Sequence, residues 1–258
     1  MIRRLPMILG LAASLAVIAC NSTPPGPALT DPTAIVTAAL KATEAAKTVH
    51  VDLAVDGTAS INLGLGGTSG TPIDVSGTTA SADIDFARPA AKATFAVKAG
   101  AQVSGELIAV DGTTYLKTSL TGPLYVASPA GAQSVDPSQI NGVIDNLGDL
   151  LLKEGITLVK GDDIACGSKQ CYTVSADLTA EQLGTTGLGT GAGLPIDLSG
   201  ARLKITVRVE KDLPYHLAGV TAVLSLTDGS ALTFDLTASK WDEPVTISAP
   251  PADQVKQG

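Results

Sequence analysis

The chain has 258 residues, of which 45% are hydrophobic, 16% charged and 3% aromatic, enough for a sizeable core and too apolar for a disordered chain. Its 17 Lys and Arg against 25 Asp and Glu give a formal charge of −8. That balance excludes nucleic-acid binding, which needs clustered basic side chains, and gives no attraction to anionic membrane.

Arg3 and Arg4 precede an apolar stretch from Leu5 to Ala16, interrupted by Pro6, Gly10 and Ser14. The stretch is shorter than the ~20 residues of a membrane-spanning helix and suits the core of a signal peptide. Val17-Ile18-Ala19-Cys20 resembles the lipobox of bacterial lipoproteins. That resemblance implies removal of residues 1–19 and attachment of a diacylglyceryl group to the Cys20 sulfur. Residues 20–30 contain Pro24, Pro25 and Pro27 without a hydrophobic period, and read as a flexible tether. Residues 31–258 show no second boundary and are expected to form one domain.

Asp31-Pro32 opens a helix, Asp as N-cap and Pro at the first helical position. Ile35, Val36, Ala39, Leu40, Thr43 and Ala46 recur at helical spacing to about Thr48. The period then changes to two: Val49, Val51, Leu53 and Val55 alternate with His50, Asp52, Ala54 and Asp56 until Gly57. Further strands are expected at Ile61 to Leu65, Ile73 to Phe86, Ala91 to Ala99, Val103 to Val110, Thr113 to Thr118 and Leu124 to Ala127. Asp111-Gly112 joins two of them as a two-residue hairpin turn. No helix-length segment intervenes, so these strands must pair antiparallel.

Asp136-Pro137 opens a second helix, with Ile140, Val143, Ile144, Leu147, Leu150 and Leu151 on one face and Gly155 at its end. Strands Ile156 to Val159 and Cys171 to Leu178 follow, then a capping box at Thr179-Ala180-Glu181-Gln182. A glycine-rich loop spans Gly184 to Leu194. Strands at Leu203 to Val209, His216 to Leu226, Ala231 to Ser239 and Val245 to Ile247 complete the chain. These elements predict an α+β fold: a strongly curved antiparallel sheet, its apolar face covered by helices packed in the concavity.

Cys166 and Cys171 bracket Gly-Ser-Lys-Gln between two strand runs. In an exported chain they are expected to form a disulfide across a small hairpin. A metal site lacks further ligands, and a redox pair would be closer spaced. No Gly-x-Ser-x-Gly pentapeptide accompanies His50 or His216. Gly187-Leu188-Gly189-Thr190-Gly191-Ala192 neither follows a strand nor opens a long helix, so it is no dinucleotide fingerprint. Asp83-Ile84-Asp85 lacks the rest of a calcium loop. No catalytic residue, metal site or cofactor is expected, and nothing argues for an enzyme.

The run Ser239-Lys240-Trp241-Asp242-Glu243-Pro244-Val245, continuing to Pro250-Pro251, resembles the end of the LppX/LprAFG family of mycobacterial lipoproteins. Other landmarks agree in order: Cys20, Lys47-Thr48-Val49-His50, Val110 to Tyr115, Asp136-Pro137, and Thr206 to Glu210. The resemblance implies a half-barrel similar to the Gram-negative lipoprotein carriers, with an apolar cavity between sheet and helices. It implies an acylated lipid or glycolipid as ligand, carriage of that lipid across the cell envelope, a membrane anchor at Cys20, and a membrane transporter as partner. The expected lining is Val51, Leu53, Val55, Phe95 and Val97 from the strands, with Ile140, Ile144, Leu147 and Leu151 from the second helix. Low aromatic content makes that lining aliphatic, suited to acyl chains. The glycine loop, if it borders the cavity mouth, would act as a lid. The competing reading is a solid-core surface lipoprotein that serves as a protein-interaction module.

Overall fold

The computed structural model describes residues 27–60, 72–129, 146–184 and 199–256. Helix α1 (Pro32–Ala45) starts where the cap signal places it: the Asp31 carboxylate accepts from the amides of Thr33 and Ala34 at 3.3 and 3.2 Å. It buries Ile35, Val36, Ala39, Ala42 and Thr43. The first half of the sheet follows as β1 (Thr48–Ser60), β2 (Pro72–Asp74), β3 (Thr78–Asp85), β4 (Ala90–Ala99), β5 (Ala101–Val110), β6 (Thr113–Thr118) and β7 (Val126–Pro129). Helical residues 146–151 form α2. The second half comprises β8 (Val159–Lys160), β9 (Ile164–Cys166), β10 (Lys169–Thr179), α3 (Ala180–Gly184), β11 (Arg202–Glu210), β12 (Leu217–Ser225) and β13 (Ala231–Ser239).

Among the described residues all 13 strands join one curved sheet, ordered β7-β6-β5-β4-β3-β1-β13-β12-β11-β10-β8, with β2 on β1 and β9 on β10. Every strand pair is antiparallel. The sheet does not close, because β7 and β8 are its two ends. It consists of two meanders joined through one long pairing of β1 with β13, in which Val51 faces Ala238, Leu53 faces Leu236 and Val55 faces Phe234.

Several expected elements change. The strand thought to end at Gly57 runs on to Ser60. Gly57 is needed within it: its φ is +123°, and a Cβ there would lie 2.0 Å from the Ala231 carbonyl oxygen. The expected strand from Ile73 to Phe86 is two strands, because the Asp74 carboxylate accepts from Ser76 N at 2.9 Å and Gly77 takes φ +77°. Asp111-Gly112 forms the expected turn, with φ of 51° and 69°. Of Ile156 to Val159, only Val159 enters the sheet; Ile156 and Leu158 pack against the core without a ladder. Val245 to Ile247 form no strand. The segments 61–65, the start of the second helix, and the glycine loop beyond Gly184 lie outside the described residues.

Among the described residues, packing buries parts of both faces of the sheet, including Val49, Ile84, Ala91 and Ala238 beside Trp241. On one face, α1 packs on β10, β11 and β12, and its Ile35, Val36 and Ala39 join Leu150, Leu151, Tyr172, Val174, Val207 and Val209 in the largest core cluster. On the opposite face, the C-terminal segment brings Ile247 against Ala90, Ile108 and Tyr125. Tyr125 N donates to Gln254 O, and Lys256 N to Tyr125 O, both at 2.8 Å. That opposite face also carries Arg208, which donates to Thr221 Oγ1 and Asp235 Oδ1, each at 2.7 Å. The guanidinium passes directly over Gly219, where a Cβ would meet Arg208 Nη2 and the Leu236 carbonyl oxygen at 2.4 Å each.

Candidate functional site

Residues directly opposite one another in an antiparallel ladder share a face, so the register defines the apolar surface. One row runs Val174, Val207, Val220, Leu236, Leu53, Ala80, Phe95 across seven strands without a polar side chain. A second row, through Val51, includes Ala238, Ala82, Ala93, Leu107 and Leu116. The alternation along each strand puts His50, Asp52, Asp83, Arg208 and Asp235 on the other side. The pleat thus separates an apolar face from a charged one.

Burial along the apolar face is uneven. Under α1 it is complete: Val174 is 1% exposed and Val207 3%. A void of only about 10 Å³ remains between α1, α2, β11 and β12, lined by Val36, Ala39, Leu40, Thr43, Leu147, Leu151, Val207 and Leu217. Toward β1 and β4 the face opens. Val51, Leu53 and Phe95 are half-buried, and Val97 is 41% exposed.

Val51, Leu53 and Val55 of β1 and Phe95 and Val97 of β4 therefore share one face of the sheet, with β3 between the two strands. Leu53, Ala80 and Phe95 are in register, as are Val55 and Thr78. Leu147 and Leu151 sit in the α1 cluster instead, with Leu151 2% exposed. Ile140, Ile144 and the lipobox Cys20 lie outside the described residues. Cys166 and Cys171 are joined, with Cα atoms 5.9 Å apart, across the β9–β10 hairpin.

A second concavity, of about 810 Å³, lies between the disulfide hairpin, the turn at residues 212–215 and Trp241. Its walls include Arg208, Lys169, Glu210 and Asp235. His216 is buried there, with its ring stacked on Trp241 at 5.0 Å between centroids. Burial pushes the His216 pKa down, partly offset by the carboxylates of Glu210 and Asp242. Those two carboxylates lie 3.9 and 3.8 Å from its ring nitrogens. Sequence patterning alone did not reveal this cleft, because its residues come from hairpin ends rather than from one periodic run.

Among the described residues, His50 makes the one arrangement that looks like nucleophilic chemistry. Its Nδ1 lies 2.7 Å from Asp83 Oδ1 and its Nε2 3.5 Å from Ser81 Oγ. Asp52 approaches the same Nε2 at 3.3 Å, nearer than the serine. Ser81 is mid-strand between β1 and β4, so neighbouring amides are engaged in ladders and supply no oxyanion pocket. The group is a polar cross-strand network. Among the described residues no group of three or more His, Cys, Asp and Glu could hold a metal ion. No described helix is long and apolar enough to cross a membrane.

A family model described as LppX_LprAFG lipoprotein matches residues 31–247. The crystal structure of LprF from Mycobacterium bovis is similar over 89% of this chain and 99% of that chain, with 22% identity and a TM-score of 0.56. The crystal structure of the Mycobacterium tuberculosis lipoprotein LppX is similar over 84% of this chain and 98% of that chain, with 20% identity and a TM-score of 0.51. Both likenesses are of fold. No curated protein sequence matches.

Proposed function

The chain belongs to the LppX_LprAFG lipoprotein family, and from that premise we propose that it is a membrane-anchored carrier of acylated lipids or glycolipids. The observation that carries this reading is the apolar sheet face, which α1 seals over β10 to β12 and which is only half-buried at Val51 and Leu53 of β1 and Phe95 of β4. An aliphatic face of that extent is complementary to acyl chains, each buried CH₂ contributing about 0.8 kcal/mol. The proposed lining is Val51, Leu53, Val55, Phe95 and Val97 on the sheet, with the second helix closing the cavity through Ile140 and Ile144, while its Leu147 and Leu151 anchor it to α1. No bond is made or broken. The protein shields the chains while the lipid is shuttled across the cell envelope, and a membrane transporter is the partner that loads or receives it. Cys20, acylated after removal of residues 1–19, holds the carrier on the membrane.

Native mass spectrometry of the chain, purified from a lipid-containing host, tests the proposal. We expect a stoichiometric adduct that solvent extraction identifies as an acylated lipid. Val97→Glu places a carboxylate on the lining at a position exposed enough to leave the fold intact. It should abolish the adduct while the urea midpoint stays within error of the parent. A bare mass that persists after incubation with envelope lipids overturns the carrier reading in favour of a protein-interaction module.

A further inference from the structure

The start of the domain is fastened at two tyrosines. The Tyr215 hydroxyl donates to Pro27 O at 2.8 Å, and Leu29 N donates to the Tyr172 hydroxyl at 3.0 Å. Leu29 also packs against the main core cluster. The last part of the expected tether is therefore bound to the domain, and Cys20 precedes Pro27 by seven residues. Between Cys20 and Pro27 a fully extended chain reaches at most about 25 Å, at ~3.6 Å per residue. An acylated Cys20 would hold this end of the sheet within that distance of the bilayer.

At the same end, the turn at residues 212–215 is closed by Tyr215 N donating to Asp212 O at 2.8 Å. Leu213 projects from the turn and is 45% exposed. Ile164 of β9, 39% exposed, lies on the wall of the same cleft beside the disulfide hairpin. We propose that the turn at 212–215 and the β9–β10 hairpin form a membrane-contact surface, with Leu213 and Ile164 entering the headgroup region of the bilayer that holds the anchor. The proposal rests on the reading of Cys20 as acylated.

Charge does not drive the contact. Lys160 and Lys211 pair with Asp163, and Lys169 pairs with Glu210, so the surface has no surplus of free cations to recruit anionic lipid. Two apolar side chains would bind a bilayer weakly by themselves. A short leash changes this, because it makes the contact intramolecular and raises the effective concentration of bilayer at the turn. The same logic gives the tyrosines a role: releasing Pro27 and Leu29 would lengthen the leash and dilute the contact.

The test uses the full lipidated chain in phosphatidylcholine vesicles, with anchoring verified by flotation and by its loss in Cys20→Ser. An environment-sensitive fluorophore is placed at Leu213→Cys and, as reference, at Ala99→Cys at the opposite end of the sheet. We expect the label at 213 to shift to the blue and to be quenched by lipids brominated near the headgroup, independently of salt. The label at 99 should keep its emission in water. Adding Tyr172→Phe and Tyr215→Phe should reduce the quenching at 213 while flotation persists.

A floating chain whose two labels behave alike overturns the contact surface and leaves the anchor reading standing. A chain that fails to float with Cys20 intact overturns both. A label at 213 that shifts to the blue but escapes the bromine is covered by protein, which assigns the surface to a second copy of the chain and overturns the membrane contact.

Discussion

Glu106, Lys117 and Tyr125 fasten the C-terminal segment to the charged face of the sheet. Lys117 Nζ lies 2.6 Å from Glu106 Oε2, and the Tyr125 hydroxyl donates to the same oxygen. The ammonium also lies 4.6 Å above the Tyr125 ring. The Lys117 hydrogen bond, and then that of Tyr125, hold the Glu106 carboxyl below its usual range. A carboxyl depressed in the folded state adds stability above its ordinary value of about 4.3, and loses it as pH falls through the folded value. Glu106→Gln should therefore destabilise the protein at pH 7, with a gap to the parent that narrows on acidification to pH 3. Urea midpoints at both pH values check this, and a gap of constant size would remove the ionic contribution. None of this trio was legible in the sequence. Polar alternation marks Glu106 and Lys117 as facing away from the apolar side, but only the β5–β6 register brings them opposite, and Tyr125 joins through a loop.

Elements were legible where a local signal and a tertiary need coincide. The Asp31-Pro32 cap, the Asp111-Gly112 turn and the Thr179–Gln182 box, with Thr179 N donating to Gln182 Oε1 at 2.9 Å, are chemistry within a few residues. Val245 to Ile247 alternate like a strand without forming one, because apolar alternation reports burial on one side and says nothing about a ladder partner. Ile247 is indeed buried, at 6% exposure, but against the back of the sheet. For the same reason the sequence could align Val51, Leu53 and Val55 on one strand face yet could not tell packed core from open face, a distinction set by where α1 lands. The β9–β10 hairpin allows a prediction at this scale. Closing so short a loop contributes about 2 kcal/mol through the entropy of the unfolded chain. Replacing Cys166 by Ser together with Cys171 by Ala should lower the unfolding free energy by roughly that amount, read from urea titration. A loss well above it would mean that the bond also holds the turn at 212–215 and the adjoining cleft in place.

At the level of the molecule, the two meanders are united by β1 and β13, whose paired residues Leu53 and Leu236 are far apart in the chain. Among the described residues, no other strand pairing crosses between the halves. A chain ending at residue 229 would lack that joint and the C-terminal segment, and should show no cooperative urea transition. A sharp transition in the truncated chain would show that one meander folds alone. The curved antiparallel class was legible because alternation recurs strand after strand; the joining of first to last strand was not, since both carry the same pattern as their neighbours.

Trp241, the chain's single tryptophan, follows β13 immediately. Its Nε1 donates to Leu217 O at 3.0 Å, and its ring packs against the core clusters of both halves. Nature has thus placed one intrinsic fluorophore at the joint. Its emission reports the moment at which the last strand docks on the first, so the completion of the sheet can be timed without adding any probe.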